Sequence, residues 1–186
     1  MHTEDTFSQS VDAALAGAEG DPSDTVRPEA APTSPQIRAT GLSDTGEELG
    51  RGGMGVVRAA IQRSLGRQVA VKAPMAEDPP AHVVRALLQE AFVTGILDHP
   101  NVLPIHDVVF DARGRPQIVM KRVEGQPWAA LARKPAEILA SFGAADPLEW
   151  NLGVFLQVCN AVAYAHDRGI LHRDLKLDNV MIGRFG

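Results

Sequence analysis

The spacing of apolar positions changes character along this chain, and each change predicts a different element. Residues 1 to about 40 hold few large apolar groups, with Pro22, Pro28, Pro32 and Pro35 set among Ser, Thr, Asp, Glu and Ala. Such a segment cannot bury enough surface to offset its ordering entropy. It predicts a disordered tail over 1–44, with a transient helical turn around 11–16. From Thr45 onward, short runs rich in Val and Ala at 47–49, 55–61 and 68–73 alternate with glycine-containing turns, as in an antiparallel sheet. Over 81–97 the period becomes helical: Val84, Leu87, Leu88, Ala91, Gly95 and Ile96 recur at three and four, and His99-Pro100 ends the run. Two further strands, 103–110 and 117–123, flank Asp111-Ala112-Arg113-Gly114-Arg115, which has turn composition. After Glu124-Gly125 the chain is predicted helical at 127–133, irregular to Pro147, and then a long helix. Leu148, Leu152, Phe155, Leu156, Cys159, Val162, Ala163 and His166 share one face of that helix, and Gly169 closes it.

Composition narrows the class without naming a chemistry. A chain of 186 residues with 45% hydrophobic content fits one ordinary soluble domain. No apolar run approaches the ~20 residues of a membrane span, so no membrane segment is expected in this chain. Glu4 and Asp5 interrupt any basic-then-apolar leader, which points to the cytoplasm. The single cysteine, Cys159, has Val158 and Val162 as neighbours and is predicted to be a buried structural thiol. A net charge of −5 argues against a nucleic-acid partner.

Three stretches carry chemistry. Gly50-Arg51-Gly52-Gly53-Met54-Gly55-Val56-Val57 spaces glycines as G-x-G-x-x-G-x-V. Glycines so placed let a strand-turn-strand approach phosphates closely and present unobstructed N–H groups. By itself the stretch is equally a plain glycine-rich turn. A dinucleotide reading requires a helix directly after the glycines, and Val56, Val57 and Ile61 look like a strand instead. Val69-Ala70-Val71-Lys72 ends a buried-looking strand on a lysine, for which Glu90 in the predicted helix is the matching carboxylate; an edge lysine and a solvated glutamate are the alternative. His172-Arg173-Asp174-Leu175-Lys176-Leu177-Asp178-Asn179 sets three functional groups on one loop. Asp174 is suited to accept a hydroxyl proton, Lys176 to neutralise a transferring phosphoryl group, and Asn179 to offer a neutral oxygen to Mg²⁺. His172 is expected to be a packed core histidine, not a metal ligand.

In this order the three motifs resemble the eukaryotic-like (Hanks-type) protein kinase family over residues 45–183. The resemblance implies an α+β kinase-like fold: a five-stranded antiparallel N-lobe sheet with one helix over 45–123, and an incomplete helical C-lobe over 124–186. It implies ATP and Mg²⁺ between the lobes, with Gly50, Gly52 and Gly55 over the phosphates, Lys72 on the α- and β-phosphates and Glu90 bracing Lys72. Val57 and Ala70 would pack on adenine from one side and Met181 from the other. Met120 would be the gatekeeper, with Lys121, Arg122 and Val123 as the hinge. Catalysis would fall to Asp174, Lys176 and Asn179, and the metal to Asn179. Lys176 is similar to the serine/threonine subgroup, which implies a protein Ser or Thr hydroxyl as acceptor. The Gly-Gly-Met-Gly loop and the His99-Pro100-Asn101 turn look like bacterial members.

The sequence departs from the family where Asp-Phe-Gly should supply a second metal ligand. Arg184-Phe185-Gly186 imitates that motif, but residues 180–182 leave room for only one strand before it. The activation loop that Arg173 would hold, and the helices completing the second lobe, are also missing from these residues. The expectation is a truncated chain with impaired or no activity alone, whose long helix exposes an apolar face to a partner. The alternative is a pseudokinase-like module that binds nucleotide or a partner without catalysis.

Overall fold

The computed structural model describes residues 41–53 and 55–184. The tail predicted over 1–44, with its turn at 11–16, lies almost entirely outside the described residues. Five strands, β1 (Leu42–Gly52), β2 (Gly55–Gln62), β3 (Arg67–Ala73), β4 (Ile105–Phe110) and β5 (Pro116–Lys121), form one sheet in the order β1-β2-β3-β5-β4. All four pairings are antiparallel. β1 begins at Leu42, earlier than the sequence pattern suggests, because its first residues pair with Gln62 and Ile61 through backbone bonds that composition does not reveal.

The helix α1 (Ala81–Gly95) lies on this sheet. Leu87 and Ala91 pack with Ala70, Ile118 and Met120, and Val57, Ile105 and Val108 border the cluster. Burying a Leu such as Leu87, which is fully inaccessible, stabilises the docking by ~1.5–3 kcal/mol. The helix stops at Gly95, short of the predicted 97, with Ile96 capping it through its N–H to the Phe92 carbonyl. β4 starts at Ile105 instead of 103, yet the Pro104 carbonyl still accepts from the Lys121 amide, continuing the ladder by one bond. In the β4–β5 turn the Asp111 carboxylate accepts from the amides of Arg113 (2.9 Å) and Arg115 (3.0 Å).

A second cluster organises the remainder. The short β6 (Gly125–Pro127) pairs with β7 (Met181–Gly183), and between them come α2 (Trp128–Leu131), α3 (Pro135–Phe142) and α4 (Pro147–Asp167). Neither β6 nor α3 was expected: β6 is too short to show a period, and Pro135 reads as a breaker although it occupies the first helical turn, where its missing N–H costs nothing. Trp128, Leu131, Val154 and Ile182 form the core here. The Trp128 indole N–H donates to Asn151 Oδ1 at 2.7 Å. Asp146 caps α4 by accepting from the Leu148 amide. At its other end Gly169 adopts φ +71° and the Ile170 amide reaches back to Ala165, a six-to-one closure that only glycine makes without strain.

The face of α4 singled out by the sequence is apolar but largely uncovered. Leu148, Leu152, Phe155 and Leu156 are exposed, whereas Val154 and Ala165 face the core. Cys159 is therefore exposed, not buried as predicted, because it lies on the uncovered side of the helix. The α1–β4 connection is tied to α4: Asn101 Nδ2 donates to Gln157 Oε1 at 2.8 Å, and the rings of His99 and Tyr164 lie 5.2 Å apart.

Candidate active site

The glycine stretch forms the β1–β2 hairpin, with Gly52 opposite Gly55 and Gly50 opposite Val57. Its glycines divide by cause. A Cβ on Gly55 would overlap the Ala73 carbonyl oxygen, so this position is dictated by packing against the end of β3. Gly50 and Gly52 have open space where a Cβ would be and no left-handed φ. Neither packing nor backbone conformation requires glycine there, and a ligand approaching the hairpin closely would.

β3 carries Lys72 between Val57 on β2 and Ile118 on β5, and α1 brings Glu90 to it. Lys72 Nζ donates to both Glu90 carboxylate oxygens, at 2.7 and 2.6 Å, with the lysine side chain only 17% exposed. Ala70 is buried opposite Met120, also buried, at the sheet face beneath α1. β5 ends at Lys121, so Arg122, Val123 and Glu124 form an irregular connection to β6 instead of extending the strand to 123. Among the described residues the Val123 amide donates to no protein acceptor, leaving it available to a ligand. Met181 is half-exposed on β7, opposite Pro127.

The loop after α4 is compact and polar. Arg173 adopts φ +60°, a left-handed conformation that costs a non-glycine residue ~1–2 kcal/mol. The turn lets the Asp174 amide reach the His172 carbonyl at 2.8 Å. Lys176 Nζ donates to both Asp174 oxygens, at 3.1 and 2.9 Å. Asn179, held by the 3-10 turn at Leu177–Asn179, donates through Nδ2 to the Asp174 carbonyl (2.7 Å) and to Oδ2 (3.0 Å). Its Oδ1 is thereby left free to accept or ligate. The Lys176 ammonium, followed by the Asn179 amide, holds the Asp174 carboxyl below the usual carboxylate range. His172 is exposed, correcting the expected packed histidine: no apolar element of the described chain covers this loop, and its neighbours Leu171 and Leu175 are exposed too.

The structure thus assembles two sets of the anticipated residues, Lys72 with Glu90 and Asp174 with Lys176 and Asn179. No hydrogen bond or ion pair among the described residues joins the two sets. The sequence missed β6 as the support that pairs with β7. Its signal was Gly125, where a Cβ would overlap the Ile182 carbonyl oxygen. Among the described residues no three His, Cys, Asp or Glu side chains cluster as a metal site, and Asn179 Oδ1 is an oxygen that could hold a cation.

Comparison with known proteins decides the lineage, because the protein kinase domain family matches residues 43–185. The chain belongs to the protein kinase family. A serine/threonine-protein kinase PknD of Protochlamydia amoebophila is 36% identical over 147 residues, covering 75% of this chain and 15% of that protein. A probable serine/threonine-protein kinase PknB of Corynebacterium glutamicum is 35% identical over 144 residues, 74% of this chain and 21% of its own length. A PknD of Chlamydia trachomatis is 32% identical over 143 residues, with 74% and 15% covered. The chain therefore spans between about a seventh and a fifth of the length of these relatives. Their names carry the serine/threonine class that Lys176 suggested, and their sources agree with the bacterial likeness of the loop. The five-stranded N-lobe sheet and its helix are those of a kinase, and the family uses ATP. No helix among the described residues is long and apolar enough to cross a membrane.

Proposed function

We propose that this chain binds ATP·Mg²⁺ and contributes the catalytic loop for phosphoryl transfer to a protein Ser or Thr hydroxyl. The observation that carries the reading is the Asp174 cluster, in which one cation and one carboxamide converge on an ionised carboxylate. ATP, when bound, would supply the γ-phosphoryl group, with ADP as the leaving group. Asp174, ionised at neutral pH as an ordinary carboxylate is, accepts a hydrogen bond from the attacking hydroxyl and takes its proton. Lys176 offsets negative charge on the transferring group, and Asn179 offers Oδ1 to the metal. Lys72, oriented by Glu90, would hold the α- and β-phosphates, with Gly50, Gly52 and Gly55 over them. Val57, Ala70 and Met181 would enclose adenine, with Met120 behind it and the Val123 amide available to its edge. In domain terms, 45–123 is the nucleotide-holding lobe and 124–186 the catalytic-loop lobe, after a tail over 1–44.

Calorimetric titration with ATP, with and without Mg²⁺, tests the reading. ATP binding is expected and is lost in Lys72→Met. Label transferred from γ-³²P-ATP to a mixed peptide library is expected on Ser and Thr, and Asp174→Asn abolishes it. Absence of ATP binding, or binding indifferent to Lys72→Met, refutes the nucleotide role.

One observation favours a second reading, a non-catalytic module acting through a partner. The uncovered face of α4 borders an apolar groove of about 300 Å³ lined by Phe155, Val162, Ala163, His166 and Leu175. A chain that binds ATP, transfers no phosphate and gains stability from an apolar peptide in that groove fits this alternative.

A further inference from the structure

The strand leading into the glycine loop is weakly held, and one residue of the hinge compensates. β1 is an edge strand, and its register with β2 breaks between Asp44 and Glu48 and again between Glu48 and Gly50. Gly46, at φ +76°, turns the backbone out of the ladder, so residues 45–47 drop out of the register with β2, where the Thr45 hydroxyl donating to the Ala59 carbonyl at 2.9 Å is the side-chain bond the break retains. Glu47, inside that break, is met by Arg122 from the connection between β5 and β6. Arg122 Nη2 donates to Glu47 Oε1 and Oε2 at 3.2 and 3.1 Å, and Nη1 donates to Gln68 Oε1 on β3 at 2.9 Å. The Arg122 side chain is only 20% exposed, so its guanidinium is better shielded than most surface cations. One planar fork therefore spans the hinge, the edge strand and a central strand, a geometry that lysine does not reproduce.

We propose that Arg122 is a positioning residue, a latch that ties β1 to the hinge and sets where Gly50 and Gly52 stand relative to the nucleotide. This rests on the nucleotide-binding reading above for its consequence, but not for its mechanics. Without the latch, the loop-bearing end of β1 is held by its pairing with β2, by the Thr45 hydroxyl on Ala59 and by the exposed Arg51–Met75 contact, and the hairpin samples positions farther from the phosphates. The effect falls on ligands with phosphates and spares adenosine, which lacks the groups the glycines cover. It weakens with salt, because the Glu47 carboxylate is half-exposed.

The test uses Arg122→Ala, Glu47→Ala, the double Ala variant and the exchanged pair Arg122→Glu with Glu47→Arg. Dissociation constants for ATP and adenosine are measured at low and high salt, and amide hydrogen exchange is followed over residues 48–52 without ligand. Each single variant is expected to weaken ATP about three- to fivefold at low salt, the size of a partly shielded ion pair. The double variant loses no more than either single one, adenosine binding barely changes, the exchanged pair recovers part of the loss, and exchange at 48–52 rises in Arg122→Ala. Additive losses from the two Ala changes, or unchanged exchange at 48–52 in Arg122→Ala, overturn the latch. Wild-type chain that binds no ATP refutes the nucleotide reading alone, and the exchange measurement still decides the latch: a rise retains it and no rise removes it.

Discussion

Lys72 and Glu90 are joined through both carboxylate oxygens of the glutamate, with Nζ at 2.7 and 2.6 Å, so the ammonium is fixed in direction as well as in charge. The glutamate is 40% exposed, which limits what the pair adds to stability. Glu90→Gln is expected to change unfolding free energy by less than ~1 kcal/mol. The same substitution leaves Lys72 unpaired and free to swing, and should weaken ATP about three- to tenfold. Parallel urea denaturation and ATP titration separate the two; a large loss of stability with unchanged ATP affinity would make the pair structural.

The glycines of the β1–β2 hairpin give opposite expectations. Gly55→Ala drives a methyl into the Ala73 carbonyl and should cost ~1–3 kcal/mol, lowering the melting temperature visibly. Gly52→Ala meets nothing within 4 Å and should leave the melting temperature unchanged or slightly raised, while weakening ATP. Calorimetric melting of the two variants beside ATP titration checks the contrast. An equal stability loss in both would mean that Gly52 is also fixed by packing.

Asp174 owes its low proton affinity first to Lys176 and then to Asn179, so the cause is removable. Lys176→Ala is expected to raise the carboxyl pKa toward the ordinary Asp value of ~3.9, and Asn179→Ala to raise it less. The sign follows from the charge: a neighbouring cation favours the carboxylate, and its loss favours the acid. Carbon-detected NMR titration of the Asp174 carboxyl reads the shift directly, without requiring turnover. A downward or absent shift in Lys176→Ala would mean that the contact does not persist in solution.

Asp111 shows the same chemistry serving stability. Burial works to raise its pKa, but the Arg115 amide, the Arg115 side chain and the Arg113 amide together bring it below the usual value. Asp111→Ala removes three hydrogen bonds from a carboxylate 17% exposed and should cost ~1–2 kcal/mol at neutral pH. Because the folded-state pKa is lowered, this contribution is present above about pH 4 and is lost as pH falls through the folded value. Urea unfolding of both proteins at pH 7 and pH 3 is expected to show the gap closing in acid. A gap that widens in acid would contradict the sign.

Where a motif and a period coincided, the sequence was legible. Lys72 meets Glu90 as the strand and helix signatures anticipated, whereas the bonds of Lys176 and Asn179 to Asp174 within the loop were not anticipated, the three having been given separate roles. β6 and α3 were not legible, since three residues carry no period and Pro135 marks both a break and a first helical turn. Cys159 and His172 failed for a different reason. Their neighbours are apolar, and sequence pattern reports that a face is apolar but not whether anything within the chain covers it. Arg122 was placed in the hinge, but its contacts were not legible, because its partners Glu47 and Gln68 lie 75 and 54 residues away.

The same distinction makes the last prediction. On α4, Leu152, Phe155 and Leu156 are 53, 50 and 62% exposed, while Leu131 of α2 is fully buried in the cluster that α4 joins through Val154. Exposed apolar groups add little to folding, so replacing all three by Gln should cost only a few tenths of a kcal/mol each. Leu131→Ala opens a cavity in the packed cluster and should cost ~2–5 kcal/mol. The uncovered face is also contiguous, and apolar patches of that kind promote association. The triple Gln variant is therefore expected to remain monodisperse in sedimentation at concentrations where the unmodified chain self-associates, with an unfolding midpoint close to the original. Were the triple variant to unfold as early as Leu131→Ala, α4 would bury this face against its own chain in solution, and the partner-binding reading would lose its basis.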